Sequence, residues 1–347
     1  MAIKINLTFP KSWNQCTTEQ LELIASVMQD QIFRQDRYHP FDMENVKLAV
    51  FFSLSGIKIV KWVDEKLKSE DQFYMCRMLD KKKDKETGAF PLYLWQINYW
   101  LKPKAQTRDK DSVEYITQGA GILGWMDNQK DSYLTKFPYP MRKRRKSWWR
   151  KRKLFVGVSA DMDGFSWEQY RLASDLMQSY TRISNNLIRM QQMGKYTEEQ
   201  LMQQAQSAAL AKSMFLAQIF NAKTDYVDTK TGMVKHDFHY DSGQYSTNAP
   251  YFRTFPDIQW QVILFWWTGM THTLSKRFPH VFKVQPVNKR KQPSTPLEIY
   301  TATTATMQKY AGLTEDQVNN QSYSLVLEHL ERLSKENEEM AKIRSKK

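Results

Sequence analysis

The sequence predicts a mainly α protein with minor β: a multi-helix core, a small N-terminal strand element and a helical C-terminal extension. Three observations carry this reading. A Ser or Thr followed three residues later by Gln, the spacing of a capping box, occurs at Thr17, Ser166, Thr197 and Thr314, each ahead of apolar residues repeating every 3.6 positions. Residues 258–274 are apolar nearly all round, which predicts a buried central helix. Alternation of apolar and polar residues is confined to short pieces.

Taken in order, Ile3, Ile5 and Leu7 alternate with Lys4, Asn6 and Thr8 and predict one short strand before Pro10. The Thr17 box opens a helix through Leu21, Ile24, Ala25, Met28 and Ile32, and Asp42 is a further N-cap. Residues 153–158, KLFVGV, predict a strand. The Ser166 box opens a helix over 167–192 and the Thr197 box one over 198–220. Small residues at Ala205, Ala208 and Ala209 let these two pack as an antiparallel hairpin about a turn at 193–196. Residues 224–250 are polar and contain Gly, which predicts a loop. Asp257 caps the central helix, and Thr314 and Ser322 open two C-terminal ones. The organisation expected is a unit of short helices over 1–141, a basic linker over 142–153, a helical core over 154–286, a linker over 287–296 and a C-terminal extension over 297–347.

Length and composition narrow the class. A chain of 347 residues fits two domains, and 11 Trp, 17 Tyr and 18 Phe suffice for a core without disulfides. Cys16 and Cys76 cannot build a disulfide framework or a thiolate zinc site, so a reducing cytosolic setting is expected. The densest apolar run, residues 260–267, is interrupted by Gln261 and falls far short of the ~20 residues that cross a bilayer. Residues 1–15 lack the apolar segment of a secretory signal.

The charge of +14 is local. Residues 142–153 read RKRRKSWWRKRK, nine cations without an acid, and residues 276–291 add six more. Together they exceed the net charge of the whole chain, so the remainder is close to neutral. Arg142, Lys143, Arg144, Arg145, Lys146, Arg150, Lys151, Arg152 and Lys153 could neutralise phosphates while Trp148 and Trp149 stack on bases, a combination suited to single-stranded nucleic acid. The competing readings are a solvated linker, a contact with an acidic protein surface, or a strand edge guarded by cations.

Motifs for catalysis fail on their own chemistry. Gly119, Gly121 and Gly124 match the dinucleotide fingerprint literally. The crossover helix that should follow is blocked by Pro138 and Pro140, and the ribose acid is replaced by cations near Arg142, so a glycine turn is expected. Residues 159–170 resemble a calcium loop through Asp161, Asp163 and Gly164, but Tyr170 stands at the twelfth position, where the bidentate acid is required, which leaves a turn into the Ser166 cap. His236, Asp237, His239 and Asp241 crowd four possible ligands into six residues with no third histidine or cysteine close by. No nucleophile elbow, P-loop or paired-histidine helix is present, so neither an enzyme nor a cofactor is expected.

At the C-terminus Tyr323, Val326, Leu330, Leu333, Asn337 and Met340 step by three and four residues, a short heptad seam that can dock on its own domain or on a partner helix.

Four segments resemble a divergent family of bacteriophage and prophage proteins encoded among tail genes. They are LTFPKSWNQCTTEQLELI at 7–24, DGFSWEQYRLASDLMQSY at 163–180, IQWQVILFWWTGMTHTLSKRFPHVF at 258–282 and LTEDQVNNQSYSLVLEHLERLSKENEEM at 313–340. The last is similar to the C-terminal parts of phage tail-assembly chaperones. The resemblance covers under a third of the chain and does not extend to the basic run. It implies a non-enzymatic role in tail or virion assembly, other tail proteins as partners, and action in the host cytoplasm, with retention in the virion as a variant. The alternative from a different class is a basic single-strand-binding protein using residues 142–153.

Overall fold

The computed structural model describes residues 9–33, 43–55, 57–63, 73–80, 85–86, 90–93, 119–126, 133–144, 153–159, 162, 164–227, 231–283 and 296–345. The protein is mainly α with minor β. The helices are α1 (Thr18–Phe33), α2 (Met43–Ser55), α3 (Trp167–Met193), α4 (Glu198–Ile219), α5 (Asp257–Arg277), α6 (Pro296–Ala311), α7 (Glu315–Asn320) and α8 (Tyr323–Ser345). Among the described residues the strands form two antiparallel four-stranded sheets. The first contains β1 (Ile57–Val63), β2 (Phe73–Asp80), β3 (Lys85–Glu86) and β4 (Phe90–Tyr93), with β2 pairing all three others. The second runs β5 (Met141–Arg144), β6 (Lys153–Gly157), β7 (Phe220–Val227) and β8 (Val234–Phe238) in that order.

All four capping boxes start a helix. The Thr17, Thr197 and Thr314 boxes close in both directions: the hydroxyl accepts the N–H of Gln20, Gln200 or Gln317, whose side chain accepts the cap N–H in return. At Ser166 only the first half forms, because Gln169 is used elsewhere. Asp257 is not the cap of α5. Pro256 takes that position, and Asp257 becomes an acid in the first turn, where it still favours the positive end of the helix.

The chain divides into two compact units, Met1–Pro138 with Asp257–Thr268, and Tyr139–Pro256 with Gly269–Lys347. The first half of α5 therefore belongs to the N-terminal unit and not to a 154–286 core. In that unit Ile24, Val46, Val50 and Phe51 of α1 and α2 pack with Leu123 and Met126. Leu123 and Met126 lie in a 3-10 helix over Gly119–Met126, where a glycine turn was expected. Its apolar residues are what the core needs from this segment. Trp266 is fully buried, meets Phe137 edge to face at 4.7 Å and donates its indole N–H to Thr135 O at 3.0 Å. Gln259 donates to Glu22 at 2.9 Å. These contacts are why the central helix completes the N-terminal unit. The first sheet replaces part of the helical reading of residues 1–141; the alternation in IKIVKWV at 57–63 was its signal. The strand expected around Ile3 and Leu7 lies outside the described residues, as does the linker over 287–296 except Pro296, which begins α6.

In the second unit α3 and α4 form the expected antiparallel hairpin. Gly194 ends α3 at φ 61°, a left-handed conformation that costs glycine little, and Gln204 Nε2 donates to Ile183 O at 3.3 Å. α4 then runs into β7 with no intervening loop. Helix ends leave carbonyls without partners, and three are met here: Leu216 O accepts from Phe220 N–H, Ile219 O from Val158 N–H at 3.1 Å, and Gln218 O from Gln169 Nε2 at 2.6 Å. Phe155, Phe220 and Phe252 stack around this junction with centroid separations of 4.9 and 5.3 Å. Residues 224–250 are not a loop: they contain the rest of the β7–β8 hairpin and short helical turns at Ser242–Gln244, Tyr245–Asn248 and Ala249–Phe252.

Two substitutions test these cores. Trp266→Phe removes a buried donor and leaves Thr135 O without it, so it should lower unfolding stability by about 2–4 kcal/mol in a denaturant titration. Gln169→Leu strands the buried Gln218 carbonyl and should cost about 1–3 kcal/mol in the same measurement.

Candidate functional site

The basic run is part of the second sheet. β5 and β6 pair antiparallel with Arg142 opposite Phe155, Lys143 opposite Leu154 and Arg144 opposite Lys153. The expected linker over 142–153 is thus corrected at both ends: Arg142, Lys143 and Arg144 lie in β5, and Lys153 begins β6. Backbone pairing of the apolar KLFVG segment is the reason. Arg145, Lys146, Trp148, Trp149, Arg150, Lys151 and Arg152 lie outside the described residues. The Lys153 ammonium is engaged internally. It donates to Asn248 Oδ1 at 2.7 Å and sits 5.7 Å from the ring centres of Phe155 and Tyr251, and burial pulls its pKa below the usual lysine range. In the second cationic stretch Arg277 pairs with Glu328 at 2.5 Å and Lys283 with Glu338 at 2.9 Å.

Those acids belong to α8, whose seam changes character along its length. Tyr323 and Val326 are buried, Leu330 and Leu333 are half-buried, and Asn337 and Met340 are exposed. The buried end is stitched to the start of α3. Trp167 N–H donates to Gln321 O at 2.7 Å and Tyr323 N–H to Phe165 O at 3.0 Å, around a bridge between Ser166 and Ser322. Each helix thereby satisfies an orphan first-turn donor of the other. Tyr170 stacks on Tyr323 at 5.3 Å, and burial pushes the Tyr170 phenol up to about 12. Farther along, Glu331 accepts the backbone N–H groups of His280 and Val281 at 3.0 Å each, and its Oε1 lies 2.5 Å from the His280 ring nitrogen.

The histidine and aspartate cluster does not assemble a metal set. His236 and Asp237 are successive residues of β8 and therefore lie on opposite faces. His236 pairs with Asp225 across the strand, and Asp241 caps the next turn by accepting Gly243 N–H at 2.8 Å. Among the described residues no group of three or more His, Cys, Asp or Glu is placed to hold a metal ion. Cys16 is half-buried, and burial pushes its thiol up to about 12. No helix among the described residues is long and apolar enough to cross a membrane.

One feature was invisible in the linear sequence. A polar cleft of about 390 Å3 has Glu168, Asp225, His239, Tyr240, Asp241 and Asp316 among its lining residues. Tyr240 donates to Gln218 Oε1 at 2.7 Å; burial, followed by the charge of Glu168, pushes its phenol far above the ordinary range, so it stays a neutral donor. The carboxylates here have structural duties. Asp225 holds His236, Asp241 caps a turn, and Glu168 and Asp316 sit in the first turns of α3 and α7, where they offset the helix dipoles. The sequence marks Glu168 and Asp316 through the capping boxes and Asp241 through the histidine and aspartate cluster, whereas Asp225 carries no signal.

No protein-family model, curated protein or solved structure matches the chain.

The attachment of α8 should depend on pH. Burial raises the Glu331 pKa, but the hydrogen bonds from His280 and Val281 outweigh it and hold the carboxyl below its ordinary value of 4.5. A lowered carboxylate pKa stabilises the fold above the unfolded-state value, and that contribution is lost as pH falls through the folded one. The melting temperature of the wild type should therefore exceed that of Glu331→Gln at about pH 7, and the gap should close towards about pH 3.

Proposed function

We propose that this chain is a bacteriophage tail-assembly or tail-associated protein that acts through protein–protein contacts in the host cytoplasm and has no catalytic role. The resemblance of four segments to tail-region proteins supplies the family. The observation that carries the contact mechanism is α8. Its apolar seam begins in the core of the second unit and emerges from it, leaving Met340 and Ile343 50% and 60% exposed. A helix anchored at one end and bare at the other can cover an apolar helix of a tail component until that component assembles. The α3–α4 hairpin adds to this: Ile188, Met193 and Met202 are all at least half-exposed along it. Against the nucleic-acid reading stands the internal engagement of Lys153, Arg277 and Lys283, which takes three cations of the two basic stretches into intramolecular contacts.

Two truncations test the proposal. Removing residues 336–347 spares the buried part of α8, gives up the part-exposed Glu338–Lys283 ion pair and should leave the melting temperature within about 2 °C of the full chain. It should nevertheless abolish co-purification with co-expressed tail components. Removing residues 322–347 strips Tyr323, Val326 and Leu327 from the core and should cause unfolding or aggregation. A 336–347 truncation that still recovers every tail component overturns the role of α8. Tight binding of a single-stranded oligonucleotide at physiological salt, lost when Trp148 and Trp149 are both replaced by Ala, puts the nucleic-acid reading in its place.

A further inference from the structure

We propose that β8 pairs antiparallel with β8 of a second copy of this chain, in a register centred on His236, so that the second sheet continues across a two-fold axis. Among the described residues β8 is an edge strand of that sheet. It pairs with β7 residue for residue, from Lys223 opposite Phe238 to Val227 opposite Val234, without a bulge. It contains no proline, and residues 234–237 are all exposed. Such an edge turns outward the backbone groups that the β7 ladder does not use and is a template for another strand; at its end the Phe238 N–H is already met by Asp237 Oδ1 at 2.7 Å. The outer end of the hairpin is apolar as well as bare: Val227 is 60% exposed, Met233 68% and Val234 72%.

The charge pattern selects the occupant. Lys235 and Asp237 share one face of the strand, while Val234, His236 and Phe238 share the other. A symmetric antiparallel pairing that keeps each face continuous must centre on a residue, and three centres retain most of the strand. Centring on Lys235 sets Lys235 against itself, and centring on Asp237 sets Asp237 against itself, so each places like charges directly opposite. Centring on His236 instead places Lys235 opposite Asp237 of the second copy, twice, and Val234 opposite Phe238, twice. The two His236 rings meet at the axis, each keeping its own Asp225 partner. The strand is complementary to itself in one register and repelled from itself in the neighbouring two, which is how a sheet specifies a pairing.

The interface is short, so the dimer is weak, with a Kd of roughly 1–100 µM for the full chain in sedimentation equilibrium. Lys235→Asp sets Asp against Asp237, and Asp237→Lys sets Lys against Lys235; either alone should raise the Kd at least about tenfold. An equimolar mixture of the two single variants restores both opposite-charge pairs and should recover wild-type association, as should the double swap in one chain. That recovery also shows that neither variant lost its fold. The proposal is overturned by a wild type that stays monomeric at roughly 500 µM, by dimers indifferent to either single substitution, or by a mixture that does not associate. None of these outcomes depends on the role in tail assembly.

Discussion

A helix that becomes a strand within one residue leaves buried carbonyls that neither element can satisfy, and the second unit is organised around that problem at Ile219 and Phe220. The solution recruits two distant segments. Val158, at the end of β6, supplies a backbone N–H to Ile219 O, and Gln169, in the first turn of α3, supplies a side-chain N–H to Gln218 O. Once both are in place, β6 is in register with β7 and the start of α3 is fixed against the end of α4. The aromatic cluster of Phe155, Phe220 and Phe252 then forms around a backbone whose polar groups are already paired. Gln169 is 1% exposed, and its amide also reaches Asn221 Oδ1 at 3.2 Å, so one side chain serves the helix end and the strand beginning together.

The same start of α3 fixes α8. Two helix beginnings meet there, each with donors that its own ladder cannot use, and the bridge between Ser166 and Ser322 exchanges one bond in each direction. This explains why α8 is firm at Tyr323 and Val326; its middle turns are held by charge. Glu328, Glu331 and Glu338 recur along the helix and meet Arg277, His280 and Lys283 in the segment around the end of α5. Exposed ion pairs of this kind contribute little individually, whereas Glu331 gains from accepting two backbone donors as well.

Local chemistry was legible in the sequence and long-range chemistry was not. The boxes at Thr17, Thr197 and Thr314 depend on residues three apart, and the buried helix around Trp260 and Trp266 on an unbroken apolar composition, so both could be read directly. The β7–β8 hairpin escaped because the outer part of neither strand is buried. VKHDF carries no hydrophobic alternation to read, and only pairing with β7 makes it a strand. The basic stretch at 276–291 looked uncompensated because Glu328 and Glu338 lie 51 and 55 residues from the cations they meet. The cleft beside Tyr240 draws on α3, β7, α7 and the chain after β8, and each of its acids has a local reason to be where it is.

The division of α5 between the two units has a consequence for how the chain is made. Thr135 waits for Trp266, which is synthesised 131 residues later. At ribosomal rates of ~5–20 residues per second that is an interval of roughly 7–26 seconds. Through it Thr135 and Phe137 have left the ribosome without the tryptophan that packs against them, while most of the second unit is still being added. Vectorial synthesis therefore cannot finish the units in the order in which they begin. The nascent N-terminal unit spends that time with Phe137 uncovered, the stage at which a cellular folding helper would find something to hold.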